Sequence, residues 1–180
     1  MQEYKILFTG MMGAGKTTAI GAVSDTPPIV TDVHNSDTSV AKVRTTVGLD
    51  YGQFTLDNGD RVRLFGTPGQ ARFDFLWKIL SKNALGLIIL ADNSRPDPLA
   101  DLAVYLEGFA DELGTLPCSI GVGRLDTHPH PTLDDYADAL EKRKHVFPVI
   151  AVDVRRKDDV ILLIDTLLAQ IEASTFGAQA

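Results

Sequence analysis

Residues 10–17 read Gly10-Met11-Met12-Gly13-Ala14-Gly15-Lys16-Thr17, which fits G-x-x-x-x-G-K-[ST]. Glycines at these spacings let the backbone curl so that successive N–H groups point inward at an anion. Lys16 adds a positive charge that can reach the β- and γ-phosphates of a nucleotide, and the Thr17 hydroxyl can ligate Mg²⁺. The chemistry implied is the binding of a phosphate chain with its metal ion. Gly10, Gly13, Ala14, Gly15, Lys16, Thr17 and Thr18 are the candidate phosphate-binding residues.

Such a loop works only between a strand and a helix. Residues 4–9 before it read as a buried strand, and residues 18–23 after it continue a helix whose positive end adds to the anion site. Ser24-Asp25-Thr26-Pro27-Pro28 breaks that helix, and a polar stretch of little periodicity runs to Thr45, apart from an Ile29-Val30 pair. A hairpin follows over 47–65, with Asn58-Gly59 as a type I′ turn signal and a register break near Gly52-Gln53 that reads as a bulge.

Farther on, helical and strand patterns alternate. Residues 71–82 are helix-like and rich in aromatics, and 85–91 form a continuous apolar run suited to a central parallel strand. Asp97-Pro98 starts the next helix, which Gly114 closes. Residues 119–123 form a strand. Thr132 with Asp135 starts another helix, 149–152 is the last strand, and Val160, Ile164, Leu167, Leu168 and Ile171 define the closing helix. The expected architecture is an α/β P-loop NTPase fold. It has a six-stranded, mostly parallel, doubly wound sheet, one antiparallel strand from the hairpin, and about five helices. Its ligands belong at the carboxyl ends of the strands.

The 180 residues fit one domain, 1–180. A net charge of −7 argues against a non-specific nucleic-acid binder. The lone cysteine, Cys118, fits a small core residue in a reducing cytoplasm. No apolar run approaches membrane-spanning length, and neither end carries a lipidation or signal motif, so no direct membrane anchor is expected.

What distinguishes a switch from a kinase or an ATPase is the next strand end, Gly66-Thr67-Pro68-Gly69-Gln70. Taken with the phosphate loop, it makes the chain resemble the Ras-like small GTPases. The resemblance is closest to a bacterial branch, the gliding-motility and actinobacterial conservon types. Gly21-Ala22-Val23-Ser24-Asp25 and Thr46-Val47-Gly48-Leu49-Asp50 also look similar, and the likeness runs from about residue 4 to 171. It implies a guanine-nucleotide switch that binds GTP and GDP with Mg²⁺, hydrolyses GTP slowly, and signals through segments 25–48 and 66–82. Thr46, or Thr45, would join the metal in the triphosphate state. Gly69 would offer its N–H to the γ-phosphate, and Gln70 would orient the attacking water. Asp126 of Gly123-Arg124-Leu125-Asp126 would accept hydrogen bonds from guanine, Arg124 would stack on the base, and the Val154 N–H would meet guanine O6. Relatives of this type work with small roadblock/longin-fold regulators. An effector would dock on the 71–82 helix, where Phe75 and Ile79 lie off the inward face.

The chain also departs from that family. Gly66 stands where an aspartate usually holds Mg²⁺ through water, and Asp92 is one acid that can assist. Gly123 stands in the place of an asparagine, and Met12 crowds the route of an incoming arginine. A catalytic cation from within the chain is then Arg44, with Arg72 competing. These departures keep open a pseudo-GTPase interaction module and an ATP-binding P-loop protein.

Overall fold

Two apolar runs, Gly86–Asp92 and Cys118–Gly123, are buried along nearly their whole length and form the middle of the sheet. The computed structural model describes residues 1–34, 46–70 and 73–177, with backbone alone for 30–34, 46–48 and 174–177. The strands are β1 (Glu3–Thr9), β2 (Ile29–His34), β3 (Thr46–Thr55), β4 (Arg61–Gly66), β5 (Gly86–Asp92), β6 (Cys118–Gly123) and β7 (Val149–Ala151). The helices are α1 (Lys16–Val23), α2 (Asp74–Ser81), α3 (Pro98–Gly108), α4 (Leu133–Glu141) and α5 (Lys157–Gly177). The sheet order is β2-β3-β4-β1-β5-β6-β7, with β3 antiparallel to both its neighbours and the other pairings parallel.

The six strands and five helices read from the sequence are all present. Among the described residues there is a seventh strand, β2, in the stretch expected to be a long loop, and it forms the edge of the sheet they make. An edge strand has one free side, so it needs no strong apolar pattern to pair. Nor is there a bulge at Gly52: the ladder runs unbroken from Asp50 opposite Gly66 to Thr55 opposite Arg61. The glycine is there because α1 crosses it. A Cβ on Gly52 would lie 2.5 Å from Ile20 Cγ2 and 2.1 Å from the Ser24 hydroxyl. At the hairpin tip only Gly59 has positive φ, and Leu56 accepts from Gly59 while bonding to Asp60, so the turn is not type I′.

Alternate residues of each strand enter two cores, one on each face. Ile6, Phe8, Ile88 and Leu90 pack with α1 and α5; Leu7, Leu87, Ile89, Ile120 and Val122 pack with α2, α3 and α4. The helices begin as their sequence signals direct. Asp97 accepts from the Ala100 N–H at 3.0 Å, and Thr132 and Asp135 form a reciprocal capping box. Helix α3 ends at Gly108, earlier than Gly114, and turns continue the chain from there. The Trp77 ring lies on Gly108, where a Cβ would come within 2.5 Å of it.

Candidate functional site

At the carboxyl ends of β1, β4, β6 and β7 lies an open cleft of about 1050 Å³. Its floor is the loop between β1 and α1. Gly10, Gly13 and Gly15 all have positive φ, at 144°, 84° and 96°, and this curls the chain around a concave row of N–H groups. Gly10 lies beneath the row, where a Cβ would be 2.3 Å from the Leu90 carbonyl oxygen. No side chain caps α1, so its first turn opens onto the cleft through Gly15, Lys16, Thr17 and Thr18.

Lys16 is 8% exposed, and its Nζ donates to the Gly10 carbonyl at 2.7 Å and the Met11 carbonyl at 2.9 Å. Burial pulls its pKa down from 10.5 to about 8, partly opposed by the charge of Asp50. The ammonium is thus held at the loop's edge, short of counter-charge, where a phosphate chain would supply it.

Beside it, the Thr17 hydroxyl donates to Asp50 Oδ2 at 2.6 Å. With its proton committed to the carboxylate, the hydroxyl oxygen has lone pairs left for a cation. A hydroxyl backed by a carboxylate is the hard oxygen donor set Mg²⁺ prefers, so the residues present fit that ion. No group of three or more His, Cys, Asp or Glu side chains that could hold a metal occurs among the described residues. Such an ion would therefore depend on this pair and on the ligand's own oxygens.

Asp50 was not among the residues picked out from the sequence, and it alters the reading of Gly66. The two are direct partners across the β3–β4 ladder. A Cβ at Gly66 would stand 2.9 Å from Asp50 Cβ and 3.0 Å from its Oδ2. The carboxylate missing at Gly66 is therefore present in the same space, reached from the neighbouring strand. The one sequence signal was an acid inside a strand and next to leucine, where burial is unfavourable without a partner.

Asp92 is engaged elsewhere. It binds the Ser94 N–H and hydroxyl and forms an ion pair with Arg124. Burial pushes its carboxyl up, but the bonds from Ser94 and the Arg124 guanidinium prevail and hold it below the usual carboxylate range. Arg124, in a left-handed conformation (φ 64°), also donates to the Gly13 carbonyl at 3.2 Å. It thereby ties the loop after β6 to the phosphate loop. Asn93, 3% exposed, fixes the rest of that loop: its amide donates to the His128 and Pro131 carbonyls at 2.6 and 2.9 Å, and its oxygen accepts from the Tyr136 hydroxyl.

The structure brings Gly13, Ala14, Gly15, Lys16, Thr17, Thr18, Gly69, Gln70, Arg124, Asp126 and Val154 to the one cleft. Asp126 is exposed at its rim, and Val154 packs on Gly15, where a Cβ would be 2.7 Å away. Gly69 abuts the phosphate loop, so that a Cβ there would lie 2.5 Å from the Met12 nitrogen. Thr67 anchors the same turn from behind through a 2.6 Å hydroxyl contact with Thr9. Thr46 begins β3 opposite His34, and its side chain is outside the described set; Arg44, Thr45 and Arg72 lie outside the described residues. On α2, Phe75 and Ile79 are 55% and 56% exposed. No described helix is long and apolar enough to cross a membrane.

No family model matches the chain. Over 130 residues it is 28% identical to an uncharacterized protein of Methanocaldococcus jannaschii, covering 69% of this chain and 75% of that protein. Over 121 residues it is 23% identical to intraflagellar transport protein 22 of Chlamydomonas reinhardtii, covering 64% of this chain and 59% of that protein. The chain thus spans less than two thirds of the second relative's length, and both are distant likenesses.

Proposed function

We propose that the protein is a guanine-nucleotide-dependent switch that binds GTP or GDP with Mg²⁺ and hydrolyses the triphosphate slowly. The observation that carries this reading is the convergence on one cleft of three parts: a curled glycine loop with a buried lysine, a hydroxyl–carboxylate pair, and an end lined by Arg124, Asp126 and Val154.

Lys16 and the loop N–H groups would hold the phosphates, and Thr17 backed by Asp50 would hold the metal. When bound, Mg²⁺ would neutralise charge on the phosphate oxygens. The Gly69 N–H would meet the terminal phosphate, Gln70 would orient water, and Thr46 and Arg44 would close from the preceding segment. Single-turnover hydrolysis by Gln70→Leu and Arg44→Ala separates these last roles from binding. Asp126 would choose guanine, so Asp126→Asn should cost ~1–3 kcal/mol of GTP affinity by removing charge-assisted hydrogen bonds to the base. ATP should compete poorly for the wild type, and equal binding of ATP and GTP would establish an ATP-binding protein instead. Chromatography of nucleotide released from the purified protein gives the most direct answer.

The surface that reports the state would be α2. Phe75 and Ile79, one turn apart, are exposed apolar residues on the helix that follows the Gly69 turn. A cytoplasmic effector would dock there, alongside a roadblock/longin-type regulator. Alanine at both positions should abolish triphosphate-dependent capture of that partner without changing nucleotide affinity. Unchanged capture would reduce the pair to surface packing.

A further inference from the structure

Two consecutive carbonyls of the turn after β4 are gripped from outside the cleft. The Trp77 indole N–H donates to the Pro68 carbonyl at 3.0 Å, and the Tyr105 hydroxyl donates to the Gly69 carbonyl at 2.9 Å. The Pro68–Gly69 peptide is trans, and in a planar trans peptide the C=O and N–H point in opposite directions. Fixing the Pro68 carbonyl therefore also fixes the Gly69 N–H. A carbonyl drawn toward α2 and α3 turns that N–H the other way, toward the phosphate loop against which Gly69 rests.

The two donors are themselves immobilised. Trp77 is 1% exposed and stacks on Phe109 with ring centroids 5.5 Å apart and planes within 6°. It also lies against Tyr105 at 4.8 Å, and Tyr105 is 1% exposed. A buried indole N–H or phenol hydroxyl is costly without an acceptor. The near acceptors here are backbone groups of the turn that would sense the nucleotide, and the Tyr105 hydroxyl also lies 3.4 Å from the Met11 sulfur of the phosphate loop.

We infer that Trp77 is a positioning residue that aims the Gly69 N–H at the place of the terminal phosphate, with Tyr105 fixing the peptide that follows. The aromatic clasp between α2 and α3 thereby sets the preference for triphosphate over diphosphate. This rests on the nucleotide-switch reading and adds to it the side chains that discriminate.

Trp77→Phe keeps an aromatic ring in the stack and removes the N–H, while Tyr105→Phe removes only the hydroxyl. Calorimetry with GDP and with the non-hydrolysable β,γ-imido triphosphate gives the ratio of the two affinities for each protein. Trp77→Phe should shift the ratio about five- to tenfold against the triphosphate, with GDP affinity as in the wild type. Tyr105→Phe should shift it in the same direction by about threefold, and it carries the test if Trp77→Phe does not fold. Ratios equal to the wild type, or equal losses for both nucleotides, would overturn the clasp and leave the aromatics as core packing. A wild type that binds neither guanine nucleotide would bring down the switch reading itself, and this inference with it.

Discussion

Lys16→Ala should abolish measurable nucleotide binding while the protein stays folded. The ammonium is nearly buried, with two carbonyl oxygens and no carboxylate within bonding distance of its Nζ among the described contacts. A phosphate chain is the counter-charge this arrangement lacks, and removing the cation forfeits a charge-assisted contact to a tri- or tetra-anion. The same residue gives a pH signature. Its folded pKa of about 8 lies below the ordinary 10.5, so between those values the unfolded chain holds the extra proton. Stability from this group therefore rises with pH across that window, because the cost of a buried charge is relieved. Affinity moves the opposite way. Above pH 8 the lysine must regain its proton to bind, and affinity should fall by on the order of tenfold per pH unit. Calorimetry in two buffers of different ionisation enthalpy should show proton uptake there in the wild type. Near-wild-type affinity in folded Lys16→Ala would refute the phosphate site.

Asp50→Asn should separate metal-dependent from metal-independent binding. It keeps the shape beside Thr17 and removes the charge that orders the hydroxyl. With Mg²⁺ present, triphosphate affinity should fall by about 1.5–3 kcal/mol, the range for hydrogen bonds to charged groups. Without Mg²⁺ it should hold or rise slightly, since one negative charge near the phosphates has gone. Titrations with and without chelator measure both. A loss of the same size in each would mean that Asp50 supports the fold rather than a metal.

The strand–loop–helix around residues 10–17 could be read from the sequence because each of its signals is local: glycines for positive φ, an apolar run before, a helical run after. Asp97, Thr132 and Asp135 were legible for the same reason, since a cap is settled within three residues. Asp50 was not. Its meaning comes from standing opposite Gly66 across a ladder and beside Thr17 on another element, and the chain near Asp50 records neither neighbour. Gly52 was misread as a bulge because a glycine kept for a crossing helix looks, in one dimension, like a glycine kept for a kink. Strand β2 escaped notice because an edge position makes little demand on side-chain pattern. Arg124 was read as a stacking cation, but its bonds to Asp92 and Gly13 depend on a fold that gathers three loops.

The contact between Asp50 and Gly66 also constrains how this site can change over generations. A side chain at 66 would enter the space that Asp50 already fills, so the two strands cannot both place a carboxylate there. An aspartate introduced at 66 meets the one at 50 with Cβ atoms about 2.9 Å apart, and losing the one at 50 first leaves Thr17 without its partner. Either single step should therefore be harmful where the two together are not, the pattern of reciprocal sign epistasis confined to two facing residues. A lineage should cross that valley only by a double change or through a period when the carboxylate beside Thr17 is not under selection. The address of the charge should therefore be inherited stubbornly, and Gly66→Asp should be tolerated only in a background that already carries Asp50→Gly.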